Sequence, residues 1–173
     1  MKRVVRAAVM AAGAGLLLLL PAQVLPAQAS AARAYYPDVD RIVCEMNKER
    51  ATKHLPALRI SDRASEVARA HAKDMSRTDS LTSVGSDGRD LRDRLNDAGL
   101  YSPYVSEYMF SGYRHDGYFT DMATDPDPHN GFYKVLMSKD PVAIGIGYDD
   151  SYWDVDLLGP HRRLVTRAAT CTP

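Results

Sequence analysis

Apolar residues recur at helical spacing in three segments before residue 100. In the first segment, which Asp38 can cap, they are Val39, Ile42, Val43 and Met46. In the second, which Ser61 or Asp62 can cap, they are Ala64, Val67, Ala68, His71, Ala72 and Met75. In the third, which Gly99 can end, they are Leu91, Leu95 and Ala98. The pattern predicts three amphipathic helices, and the alanines of the second predict close packing against another element.

The second half of the chain has the pattern of strands. Four segments are predicted to be extended: 105–110, 142–148, 152–158 and 164–169. Asp149 and Asp150 separate the middle two, which predicts a hairpin. Residues 121–130 contain Pro126 and Pro128, which is typical of a turn. Helices followed by strands predict an α+β fold with α/β/α layers.

The N-terminus has the pattern of a signal peptide. Three basic residues precede an apolar run from Ala7 through Leu20, which is shorter than the ~20 residues needed to cross a bilayer. Ala27 and Ala29 supply the small residues that a signal peptidase reads, so residues 1–29 are predicted to be removed before Ser30. A second small-residue site would move cleavage to Tyr35, and a retained anchor is the alternative to cleavage. We therefore expect a secreted protein without a membrane span after processing.

Charge and length limit what the processed chain can be. Residues 30–173 hold 19 basic and 22 acidic residues, so their net charge is −3. Nucleic acid is not an expected partner, because phosphate binding needs a basic face. About 144 residues suffice for one core. We predict a lead-in at 30–38, a domain at 39–159 and a tail at 160–173, in a monomer.

The processed chain contains two cysteines, Cys44 and Cys171. In an exported protein an even number of cysteines indicates a disulfide, although two unpaired thiols are the alternative. Cys44 lies about 150° around the first helix from its apolar face. It is therefore placed to hold the C-terminal tail across that helix.

Five blocks of sequence, in order and spacing, resemble the CAP superfamily in its bacterial SCP-like branch. They are Asn47–Ala51 with Leu55–Leu58, Ala68–Met75, Asp87–Gly88 with Asp93–Leu95 and Ala98–Gly99, Ser106–Glu107 with Gly112, and Gly145–Tyr148 with Tyr152–Gly159. This superfamily groups cysteine-rich secretory proteins, insect venom antigens and plant pathogenesis-related proteins. The resemblance implies an α/β/α sandwich with a central cleft.

The resemblance also implies a cation site in that cleft, formed by two histidines and one or two acidic residues. Glu107 matches the glutamate and His129 matches one histidine, but Ser83 takes the place of the other histidine. Closed zinc sites have four ligands, so we expect an incomplete site that binds a divalent cation no tighter than roughly micromolar. No cofactor is expected to be required.

Two functions are compatible with these residues. One is a non-catalytic extracellular module that binds a lipid, a glycan or a protein in the cleft, where Glu107 and His129 either serve the ligand or only hydrogen-bond each other. The alternative is a hydrolase in which Ser83, His129 and Glu107 act as nucleophile, base and orienting acid. The chain lacks the strained turn that exposes such a serine in many hydrolases. His71 is predicted to be a hydrogen-bonded core residue.

Tyrosines are frequent between residues 101 and 133. They are Tyr101, Tyr104, Tyr108, Tyr113, Tyr118 and Tyr133. They can pack the two sides of the cleft or form an amphipathic wall for a sterol, an acyl chain or a glycan.

Overall fold

The computed structural model describes residues 35–172. The predicted signal peptide at 1–29 and its cleavage site before Ser30 lie outside this part. The described elements are α1 Val39–Thr52, β1 Arg59–Ile60, α2 Asp62–Thr78, α3 Leu91–Asp97, β2 Val105–Ser111, α4 Asp116–Thr124, α5 Gly131–Leu136, β3 Ala143–Asp149 and β4 Tyr152–Leu158.

The three predicted helices form and begin at capping residues. Asp38 accepts a hydrogen bond from the Arg41 amide at 3.0 Å at the start of α1. The Ser61 hydroxyl accepts from the Ala64 amide at the start of α2. Asp90 and Asp93 form a capping box on α3. These bonds satisfy backbone amides that the first helical turn leaves without partners.

The sheet is four-stranded and mixed, with the strand order β1-β3-β4-β2. The hairpin β3–β4 is confirmed, and Asp150 and Ser151 in its turn have positive φ angles. Strand β2 pairs antiparallel with β4, and the short β1 pairs parallel with β3.

Two predictions for local structure are wrong. Residues 164–169 form a single bridge between Arg167 and Ile60 instead of a strand, because β1 has only two residues to pair with. The predicted turn at 121–130 begins inside α4, whose Thr120 and Thr124 hydroxyls bond to backbone carbonyls of the preceding turn. Helix α4 contains threonine and glycine, which are weak helix formers, so the sequence pattern did not indicate a helix here.

Helices cover both faces of the sheet, so the layered architecture is confirmed. Helices α1, α4 and α5 pack on one face, where Phe119 stacks on Trp153 with ring centroids 4.3 Å apart. Helices α2 and α3 pack on the other face, against Ala143 and Leu158. Because side chains alternate along a strand, Trp153, Val155 and Leu157 face α1 while the residues between them face α2.

Helix α2 lies unusually close to strand β3. A Cβ atom on Gly147 would lie 2.1 Å from the backbone carbon of Ala68, and one on Gly145 would lie 2.5 Å from that of Ala64. These contacts confirm the close packing that the alanines predicted. The two glycines let the helix backbone rest directly on the strand.

The predicted disulfide between Cys44 and Cys171 is confirmed, with Cα atoms 5.7 Å apart. The tail is also held by Arg167, whose guanidinium pairs with Asp40 at 2.7 Å and with Asp62 at 3.1 Å. Between residues 35 and 172, no helix combines the length and the apolar character that crossing a membrane would need.

Candidate functional site

A cluster of acidic side chains lies on the face of the sheet beneath α2. Glu107 projects from β2, and Asp154 and Asp156 project from β4. Glu107 and Asp156 are register partners, and Asp154 is two residues from Asp156 on the same face. The two aspartates have no solvent exposure, and they neighbour Gly147 and Gly145 of β3. The close approach of α2 therefore encloses all three carboxyl groups.

Arg94 of α3 is the cation of this cluster. Its buried guanidinium forms an ion pair with Glu107. It also donates to the Ser83 carbonyl at 3.1 Å and to the Arg89 carbonyl at 2.8 Å. One side chain thus joins the loop before α3 to the acidic cluster.

His71 of α2 completes the cluster. Its Nε2 atom lies 2.8 Å from the Thr82 carbonyl oxygen, to which it donates, and 3.8 Å from Glu107 Oε1. Its Nδ1 atom is buried without a partner among the described residues. Burial, assisted by the charge of Arg94, lowers the pKa of His71, so the ring is neutral at pH 7. The prediction of a hydrogen-bonded buried histidine agrees with this geometry.

The carboxyl groups of Asp154 and Asp156 have no hydrogen-bond partner in the part of the chain that the structure describes. Burial raises the pKa of both groups well above the usual range. The neighbouring charges of Asp156 and Glu107 add to the effect on Asp154. Burial also raises the pKa of Glu107, although Arg94 opposes the change. Unpaired buried carboxylates are costly, so these groups need protons or a cation.

A pocket of about 240 Å³ opens beside this cluster. Its wall is formed by Ala70, His71, Asp74, Gly85, Asp87, Arg89 and Arg94. Two of these residues, His71 and Arg94, also contact Glu107. The pocket therefore lies next to the acidic cluster, with His71 and Arg94 belonging to both.

Three residues of the cluster have the composition of a metal site. One ligand atom from each of His71, Glu107 and Asp154 lies within 4.8 Å of the other two. Imidazole and carboxylate together suit Zn²⁺ or Mn²⁺.

Of the predicted cleft residues, the structure brings only Glu107 into this cluster. The Ser83 side chain is exposed, and its carbonyl rather than its hydroxyl contacts Arg94. His129 is exposed and precedes α5, which packs on the opposite face of the sheet from Glu107. Among residues 35–172, no hydrogen bond or ion pair joins the side chains of Ser83, His129 and Glu107.

Asp154 and Asp156 are the site residues that the sequence analysis did not single out. A signal was present, because two acidic residues alternate with Trp153, Val155 and Leu157 in a segment predicted to be a strand. Such alternation puts both carboxyl groups on one face. The pattern is also typical of a strand with one solvated face, so it did not indicate burial.

The tyrosines predicted to line a cleft do not share one environment. Tyr108 packs on Phe132 with ring centroids 4.8 Å apart, and Tyr133 donates a hydrogen bond to Glu49. Tyr101 and Tyr118 are exposed.

Comparison with known proteins identifies the family of this chain. The model of the cysteine-rich secretory protein family, CAP, matches residues 43–163. No curated protein matches significantly.

Three solved structures are similar in fold. An extracellular protein of Bacillus anthracis with an SCP domain superposes with a TM-score of 0.62 at 19% identity, over 69% of this chain and 39% of that one. An outer surface protein of Borrelia burgdorferi superposes with a TM-score of 0.59 at 18% identity, over 69% of this chain and 90% of that one. A cysteine-rich secretory protein of Staphylococcus aureus superposes with a TM-score of 0.54 at 14% identity, over 69% of this chain and 37% of that one. The chain thus matches less than half the length of the first and third of these proteins.

The family match covers more than half of the chain, and the layered α+β fold agrees with it. The chain belongs to the cysteine-rich secretory protein family, and its fold is similar to that of the extracellular Bacillus anthracis protein with an SCP domain.

Proposed function

We propose that this protein is a non-catalytic extracellular binding module whose ligand enters the pocket between α2 and the segment 85–94. The observation that carries the proposal is the 240 Å³ pocket with five ionisable side chains in its wall. Binding sites combine a concave shape with a few convergent polar groups, and this pocket has both.

The charges of the pocket favour a neutral, hydroxyl-rich ligand. Arg89 is paired with Asp87 and Asp97, and Arg94 is paired with Glu107. Asp74 is likewise paired, with Arg77 at 2.7 Å. Side chains that are already paired present hydrogen-bond groups without a large net charge. Of the three expected ligand classes, a glycan fits this wall better than a lipid, because the wall has little apolar surface.

Mass spectrometry of the molecules that copurify with the natively secreted protein tests this proposal. A glycan is expected, and Arg89→Ala should weaken its binding about tenfold because a pocket side chain is removed. Arg114→Ala is the matched control, since Arg114 forms an exposed ion pair with Asp150 outside the pocket wall. A copurifying lipid, or equal binding by both variants, would contradict the proposal.

Secretion is part of this proposal and rests on the signal-like N-terminus. N-terminal sequencing of the protein from culture medium should give Ser30 as the first residue, or Tyr35 if the second site is used. A mature chain that begins at Met1 would contradict export by cleavage.

A further inference from the structure

We propose that His71, Glu107 and Asp154 bind a divalent cation beneath the pocket. This set differs from the pair of Glu107 and His129 that the family resemblance implies, because two of its three ligands come from α2 and β4. The proposal concerns the same site as the proposed function but does not depend on the identity of its ligand.

The first argument is charge balance. Three carboxyl groups and one guanidinium lie together out of water, so the cluster has two more acidic groups than basic ones. Buried acidic groups in such excess need protons or a cation. One divalent cation would balance the two additional acidic groups, with Asp156 outside the ligand set.

The second argument is the unsatisfied polar atoms. Neither oxygen of Asp154 has a donor among residues 35–172, and the side chain has no solvent exposure. Two ionised carboxylates cannot donate to each other, so Asp154 and Glu107 require either a shared proton or a cation between them. A cation coordinates the Asp154 oxygens directly.

The third argument is the geometry of the ligand atoms. Atoms about 2.0–2.2 Å from one cation lie roughly 3.3–3.6 Å apart in a tetrahedral site, and the three ligand atoms here lie within 4.8 Å of one another. Binding of an ion would therefore draw these side chains together by up to about 1 Å. Glu107 can bind the cation through one oxygen while Arg94 holds the other.

The fourth argument is access. His71 and Arg94 line both the pocket and the cluster, so an ion in the pocket would lie next to the ligand set. Water or a ligand group in the pocket would fill the remaining coordination positions, as at open sites with three protein ligands.

Titration of the folded protein with Mn²⁺, followed by electron paramagnetic resonance of the free ion, tests the site. We expect one bound Mn²⁺ per chain, and at least a tenfold loss of affinity in Asp154→Asn. His71→Gln is the second variant, because its amide can keep the hydrogen bond to Thr82 while the imidazole ligand is lost. It should weaken binding by a similar factor.

His129→Ala and Ser83→Ala are the controls and should bind Mn²⁺ like the wild type. Circular dichroism establishes that each variant is folded. The proposal is overturned if the wild type binds no Mn²⁺, if folded Asp154→Asn and His71→Gln bind normally, or if His129→Ala loses the ion. Mn²⁺ binding is measured without a glycan. Absence of Mn²⁺ binding would therefore leave the glycan result of Arg89→Ala unaffected, and absence of a bound glycan would leave the Mn²⁺ result unaffected.

Discussion

Asp156 lies on the central strand β4, whose alternate residues form the apolar core, and no described residue donates a hydrogen bond to its carboxyl group. Burial raises its pKa well above the ordinary range, so the folded protein holds its proton more tightly than the unfolded chain does. Its contribution to stability is therefore complete below the unfolded pKa near 3.9 and declines as the pH rises toward the folded pKa. Asp156 therefore lowers the stability of the folded protein at neutral pH unless a cation is bound.

Asp156→Asn should stabilise the metal-free protein at pH 7. The amide has nearly the shape of the protonated acid and cannot ionise, so a gain of about 1–2 kcal/mol in the free energy of unfolding is expected. Denaturant titration in the presence of EDTA measures it. The gain should be largely lost near pH 4, where the folded wild type keeps its proton and the carboxyl of the unfolded chain is about half protonated.

Asp121→Asn is the control for this comparison, because Asp121 is exposed on α4. It should leave the stability nearly unchanged at both pH values. A loss of stability in Asp156→Asn that is the same at pH 7 and pH 4 would show that ionisation of Asp156 is not the cost.

At the level of residues, the sequence indicated some parts of the site and not others. Glu107 and the two cysteines were identified, because a motif or the pairing rule for exported proteins marks them. Asp154 and Asp156 were not, since their burial depends on α2 crossing the sheet above them. His71 was correctly placed in the interior, but its distance to Glu107 depends on how α2 and β2 meet.

At the level of elements, the contact of α2 with β3 holds the site together. The glycines of β3 and the alanines of α2 bring two backbones into contact, and the same approach sets His71 above the carboxyl groups. A small increase in the separation of these elements would therefore open the cluster to water.

Gly147→Ala should separate α2 from β3. The added Cβ would lie 2.1 Å from Ala68 backbone carbon, so helix or strand must move. Overpacking of this kind costs about 1–3 kcal/mol or more. Thermal unfolding should show a clearly lower Tm, and the affinity for Mn²⁺ should fall because His71 moves with α2.

Gly131→Ala is the matched control on α5. Its Cβ would have only ordinary contacts with Tyr108, at 3.8 Å and beyond, and alanine favours the helix. The Tm should stay equal or rise slightly. Equal stability of the two variants would contradict the close packing of α2.

The elements that the sequence predicted correctly have strong local signals. Caps and periodic apolar residues marked α1, α2 and α3, and the acidic pair at 149–150 marked the hairpin. The two-residue β1 and the six-residue α5 were missed because segments this short are too brief to show a periodic pattern. Their positions are fixed by long-range contacts, such as the pairing of Arg59 with Ala143.

At the level of the whole molecule, the tail is fixed to the first helix by a covalent bond and by ion pairs. The disulfide spans 127 residues along the chain. Four residues before Cys171, Arg167 bridges Asp40 of α1 and Asp62 of α2, and the Thr170 amide donates to Asp40 at 2.6 Å. The apolar contribution of this segment is small, since Val165 is exposed.

Cys171→Ser should lower the Tm without altering the site. The chain-entropy model gives about 4–5 kcal/mol for a loop of this length, and strain in the folded state reduces it. Differential scanning calorimetry measures the effect, and proteolysis should cut residues 160–173 faster. Mn²⁺ affinity should be unchanged, because neither cysteine contacts the cluster.

Reduction of the wild-type protein with a thiol is the control and should reproduce the lower Tm. Non-reducing peptide mapping should give one linked pair of peptides in the wild type. Recovery of both cysteines alkylated without prior reduction would contradict the bond.

The order of the strands has a consequence for when the domain folds. Every strand pairing of the described sheet includes β3 or β4, and these occupy its centre although they come last in the chain. A ribosome that has made residues up to 140 has therefore produced two strands with no native partner, and α2 with no surface to rest on. The sheet cannot form before residues 143–158 are made, so the domain should complete its fold only when synthesis is nearly finished.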